Sequence, residues 1–115
     1  MIITGKIVKG FGEGSFYVGK YGQLFEQALG FLPFAGTLNV KVERKPELKN
    51  PITVSPGGSF KPVHCYLAKI GDMRCAIVMP EATRHPKDVI EIIAPVSVKQ
   101  HYSLKDGDKI ECSIE

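Results

Sequence analysis

Glycine and proline punctuate this chain so often that the stretches between them are short, and most of those stretches alternate with the period of a strand. Twelve glycines and eight prolines fall within 115 residues. Strands are expected over Ile2 to Lys9, Asn39 to Glu43, Val63 to Ile70, Met73 to Met79, Val89 to Ile93 and Lys109 to Glu115, each rich in β-branched or apolar residues. A short strand is expected over Phe16 to Val18, and a brief pairing over Ile52 to Val54 inside a surface excursion from Arg44 to Lys61. Gly71-Asp72 supplies a hairpin turn. One helix stands out, Tyr21 to Leu29, whose Tyr21, Leu24, Phe25, Ala28 and Leu29 make a single stripe, with Gln23, Glu26 and Gln27 facing water. Gly30 ends it and Pro33 forbids its resumption. The helix is read as scaffolding that closes one end of a barrel. Val96 to Tyr102 has room for one or two helical turns. These elements make the chain all-β, a small closed six-stranded barrel with one amphipathic helix and short helical turns. Closure removes sheet edges that so short a chain would otherwise have to protect.

Composition narrows the class further. A content of 43% hydrophobic and 23% charged residues is that of an ordinary globular domain, and residues 1–115 are read as one. Fifteen basic against twelve acidic residues leave +3, with the basic residues scattered along the chain, a mild bias toward anionic ligands and well short of a nucleic-acid footprint. Cys65, Cys75 and Cys112 have neither zinc spacing nor an even count, so buried free thiols in a reducing compartment are expected. The first residues meet glycine and lysine too soon for a signal peptide, and no apolar run approaches a membrane span. A cytoplasmic monomer without membrane or nucleic-acid partners is the expectation.

Two stretches carry candidate chemistry. Gly36-Thr37-Leu38-Asn39 runs into a strand on which Thr37 and Asn39 share one face, roughly 6 to 7 Å apart. A hydroxyl and a carboxamide oxygen held on one edge suit Mg²⁺, which prefers oxygen and usually completes its shell with water and substrate phosphate. Upstream, the alternating glycines of Gly10-Phe11-Gly12-Glu13-Gly14-Ser15 let backbone N–H groups approach a phosphate closely. This loop is neither a Walker motif nor a dinucleotide fingerprint, since no Gly-Lys-Ser/Thr follows and a short strand is expected next. Glu91 sits within the apolar Val89 to Ile93. On its own it reads as an outward, solvated carboxylate, and His85, before Pro86, as a loop histidine.

The ordered set G-x-G-E-G at Gly10 to Gly14, Leu29-Gly30-Phe31, Pro33, Gly36-Thr37-Leu38-Asn39, Pro80, Thr83, His85, Glu91-Ile92-Ile93-Ala94-Pro95 and Leu104-Lys105-Asp106-Gly107-Asp108 resembles the archaeal CTP-dependent riboflavin kinase family across nearly the whole chain. The resemblance implies a cradle-loop barrel and the reaction of CTP with riboflavin to give CDP and FMN. It implies that Gly10, Phe11, Gly12, Glu13, Gly14 and Ser15, with Val96, Ser97, Val98 and Lys99, bind the nucleotide. It further implies that Thr37 and Asn39 hold Mg²⁺ and that Thr83 and Glu91 contact the flavin. Glu91 is then the first candidate for the general base and His85 the second. The rival readings are a swapped-hairpin DNA-binding barrel and a non-catalytic flavin or nucleotide sensor.

Overall fold

The computed structural model describes residues 1–10, 18–58, 60–81 and 87–115. Its strands are β1 (Ile2–Val8), β2 (Leu38–Lys41), β3 (Ile52–Val54), β4 (Val63–Ile70), β5 (Met73–Pro80), β6 (Val89–Ile93) and β7 (Lys109–Ile114), with helices α1 (Gly22–Leu29) and α2 (Val98–His101). The sheet order β3-β4-β5-β6-β2-β1-β7 closes on itself through a further β4–β7 pairing. Six strands therefore form a closed barrel, and β3 is added beside β4 on the outside of the circuit. Every strand pairing among the described residues is antiparallel. The barrel and the brief Ile52–Val54 pairing agree with the sequence expectation.

Alternation sorts the side chains into two cores. Ile3, Ile7, Leu38, Val40, Ala68, Ile70, Cys75, Ile77, Ile90, Ile92, Ile110 and Cys112 fill the barrel interior. The intervening residues of β4, β5 and β6, among them Cys65, Ala76, Val78 and Ile93, face outward and are covered by Phe25 and Leu29 of α1 together with Val18, Tyr21 and Phe31. The helix thus lies on the barrel wall and does not close an end as expected; Val98 of α2 joins the interior cluster instead. The reason is that β4 to β6 are apolar on both faces, so the outer face also needs a cover. Val18 is helical and not in a strand, while Phe16 lies outside the described residues. Gly30 caps α1 in the left-handed conformation, its N–H donating to the Glu26 carbonyl at 3.0 Å.

All three thiols are buried and free. Burial pushes the Cys65 thiol up to about 12. The Cys75 thiol is also driven up, first by its hydrogen bond to Cys112 and then by burial, so it is not a thiolate at neutral pH.

Gly5 marks where β1 passes from one partner to the next, pairing with Ile110 of β7 just before Lys6 meets Lys41 of β2. A Cβ there would strike the Lys41 carbonyl oxygen and come within 2.6 Å of Val40 Cγ1. Backbone cannot yield as a side chain can, and a glycine inside a strand often marks such a corner. Gly5→Ala is expected to lower unfolding free energy by about 1–3 kcal/mol. It should appear as a lower urea midpoint at unchanged slope, and an unshifted midpoint would contradict the close approach.

Candidate functional site

The interior positions of Leu38 and Val40 send Asn39 and Lys41 to the outer face of β2, and those of Ile90 and Ile92 do the same for Glu91 on β6. Register then decides which outward residues meet. Asn39 lies directly opposite Glu91 on one side and Val8 on the other. Glu91 in turn faces Val78 of β5. Asn39, expected at the metal, and Glu91, expected at the flavin, are therefore neighbours in one row across the wall.

Thr37, just ahead of β2 and two residues before Asn39, lies one row over and reaches Glu91 through its side chain. Gly36 before it has φ 147°, a conformation that L side chains rarely adopt, so the turn into the strand depends on glycine. The Thr37 hydroxyl donates to Glu91 Oε1 at 3.4 Å, and Asn39 Nδ2 donates to the Thr37 carbonyl at 3.4 Å. Both contacts are longer than a relaxed hydrogen bond, so neither ties up its oxygen strongly.

Burial makes this row unusual. Asn39 at 8% and Glu91 at 5% exposure are the buried polar side chains among the described residues. Glu91 is thus outward but not solvated, contrary to what the residue alone indicates. Asn39 Oδ1 finds no hydrogen-bond donor among the described residues. An acceptor buried without a partner costs on the order of 1–3 kcal/mol, which makes Asn39 Oδ1 a candidate ligand position.

Gly10 links the row to the glycine loop. A Cβ on Gly10 would collide with Asn39 Nδ2 and lie 2.9 Å from Asn39 Cγ. The chain leaving β1 therefore rests on the carboxamide itself. Phe11, Gly12, Glu13, Gly14, Ser15, Thr83 and His85 lie outside the described residues.

Val96 to Lys99 follow β6 at the end where Thr37 enters β2; the Phe34 N–H donating to the Ala94 carbonyl at 2.8 Å joins the two approaches. Ser97 caps α2 by accepting from the Gln100 N–H at 3.3 Å. Val98 is buried in the interior. The Lys99 ammonium lies 2.6 Å from Asp106 Oδ1, so its charge is already engaged. What this segment has left to offer is chiefly backbone.

The donor chemistry fits a hard cation. Asn39 Oδ1, Thr37 Oγ1 and the Glu91 carboxylate are all oxygens, the ligand type that Mg²⁺ takes. Among the described residues no group of three or more His, Cys, Asp or Glu could hold a metal. A cation here would depend on neutral oxygens, one carboxylate and whatever its ligand brings.

Fold and site together define a small closed antiparallel barrel with an oxygen-lined polar site set into its outer wall. A family model described as CTP-dep_RFKase, domain of unknown function DUF120, matches residues 7–114. The chain is 39% identical over 123 residues to a riboflavin kinase of Thermococcus kodakarensis, covering 98% of this chain and 58% of the relative. It is 42% identical over 125 residues to a riboflavin kinase of Pyrobaculum aerophilum, covering 97% and 60%, and 41% identical over 119 residues to one of Pyrococcus furiosus, covering 95% and 56%. The chain belongs to this riboflavin kinase family. It spans about three fifths of the length of the first of these relatives. No helix among the described residues is long and apolar enough to cross a membrane.

Proposed function

We propose that this chain transfers the γ-phosphoryl group of CTP to the 5′-hydroxyl of riboflavin, giving CDP and FMN. The observation that carries the reading is the buried Asn39 Oδ1, between Gly10 and Glu91, that finds no donor among the described residues. Family membership supplies the reaction class.

Thr37 and Asn39 would hold Mg²⁺, which supplies charge neutralisation for the transferring phosphoryl group when bound. Gly10 positions the start of the loop whose N–H groups would cradle the phosphates. Phosphoryl transfer asks for alignment and charge stabilisation more than for covalent help, which matches a site built from neutral oxygens and backbone. Glu91 stands beside the metal pair, accepts from the Thr37 hydroxyl, and serves as acceptor for the riboflavin 5′-hydroxyl proton. Thr83 would share the flavin contact. Val96 to Lys99 would complete the nucleotide site through backbone groups.

Incubation with riboflavin, Mg²⁺ and CTP, UTP, ATP or GTP in turn, followed by chromatography for FMN, tests the reading. FMN is expected with CTP and far less with the others. Absence of FMN with every nucleotide contradicts it. Glu91→Gln is expected to cut turnover by about 10²-fold. Full turnover with weakened flavin affinity would remove Glu91 from the base role.

A further inference from the structure

The row next to the site is a line of lysines. Lys6 of β1 pairs directly with Lys41 of β2 on one side and with Lys109 of β7 on the other. All three are exposed. They share the outer face with Val8 and Asn39, two residues further along β1 and β2, so the two rows lie roughly 6 to 7 Å apart. Like charges directly opposite across strands destabilise a sheet. Only Lys41 has an acidic partner, Asp88 at 3.8 Å, while Lys6 and Lys109 have no ion-pair partner among the described residues. The next outward row, away from the site, has Glu111 opposite Thr4. The positive charge of Lys6 and Lys109 therefore adjoins the side of the wall where Asn39 Oδ1 finds no donor among the described residues.

We propose that Lys109, Lys6 and Lys41 form an anion-binding row that draws a polyphosphate onto the wall beside Asn39 and holds its outer oxygens. A polyphosphate fits better than a single carboxylate because the three ammonium groups are spread over three strands, about 10 Å from end to end. Flexible lysine stems let the charges converge on successive phosphate groups. The choice of a nucleotide's polyphosphate as the natural ligand rests on the function proposed above; the row's affinity for the anion does not.

The test measures binding of inorganic tripolyphosphate with Mg²⁺ by calorimetry, at low and at high salt, for the unaltered chain and for Lys6→Gln/Lys109→Gln. The variant is expected to bind about tenfold more weakly at low salt, with the gap shrinking to about twofold at 0.3 M as charges are screened. Without ligand the same variant should melt about 2–4 °C higher, because two repulsive pairs are relieved. Weaker binding with a more stable fold is a combination that general damage does not produce. Unchanged affinity, a lowered melting temperature, or binding of a DNA duplex in preference to tripolyphosphate overturns the proposal. Because no turnover is measured, the row can fail while FMN formation stands, and the reverse.

Discussion

Asn39→Ala is expected to lower FMN formation by about 10² to 10³-fold while leaving the melting temperature nearly unchanged. The activity loss is the size seen when one group that stabilises transition-state charge is removed. The small effect on the fold follows from what the side chain lacks. Its Oδ1 has no donor to lose among the described residues, and its Nδ2 contact to the Thr37 carbonyl is long at 3.4 Å. A residue that mattered for packing would show the opposite pattern, a large stability loss with activity falling only in step. Asn39→Asp sharpens the contrast. It places a second carboxylate opposite Glu91, so the ligand-free protein is expected to melt lower and Mg²⁺ to recover the difference. Paired thermal melts with and without the ion check this, and a variant indifferent to Mg²⁺ would speak against a cation at this position.

Gly10→Ala is the second large effect, and it acts through the same carboxamide. The added methyl would collide with Asn39 Nδ2 and stand 2.9 Å from Cγ and 3.2 Å from Oδ1. Asn39 is buried, so the methyl displaces either the carboxamide or the chain leading into the glycine loop. Overpacking of this kind costs about 1–3 kcal/mol in stability. The larger consequence is on the nucleotide, whose dissociation constant is expected to rise about a hundredfold, because misplacement by an ångström is that costly where alignment dominates. Gly19→Ala is the matched control. Nothing lies within 4 Å of a Cβ there, and the residue is helical, so the change should be neutral or stabilise by about 0.4–1 kcal/mol. Titration of both variants with Mg²⁺ and CDP separates the two cases.

The strands of the barrel were legible because a period of two is a local property, visible in Cys112 and Ile114 as readily as in Ile3 and Ile7. The same parity indicated that Thr37 and Asn39 share a face. It did not indicate that Glu91 belongs beside them. That fact needs the register between β2 and β6, which joins strands far apart in sequence, and side-chain alternation says which face a residue takes but not which row. Taken alone, Glu91 therefore read as a solvated carboxylate, whereas its partners across the wall leave it 5% exposed. The lysines were missed for the same reason. Lys6, Lys41 and Lys109 looked scattered along the chain, and only the pairing of β7, β1 and β2 aligns them. Their parity was available, since each flanks an interior residue. The stripe of Tyr21 to Leu29 identifies a helix but not its seat, because nothing in it reveals that β4 to β6 are apolar on both faces. Lys99 illustrates a different limit. Its charge was countable from the sequence, but its engagement by Asp106 depends on how the turn after α2 folds back.

A crystal grown with Mn²⁺ and CDP, with diffraction collected at the manganese absorption edge, would locate the cation directly. One anomalous peak within about 2.5 Å of both Thr37 Oγ1 and Asn39 Oδ1, with the diphosphate beside it on the same wall, is the expected result. A peak on any other part of the barrel, with Asn39 Oδ1 still lacking a partner, would contradict the assignment of this wall as the place where the metal nucleotide binds.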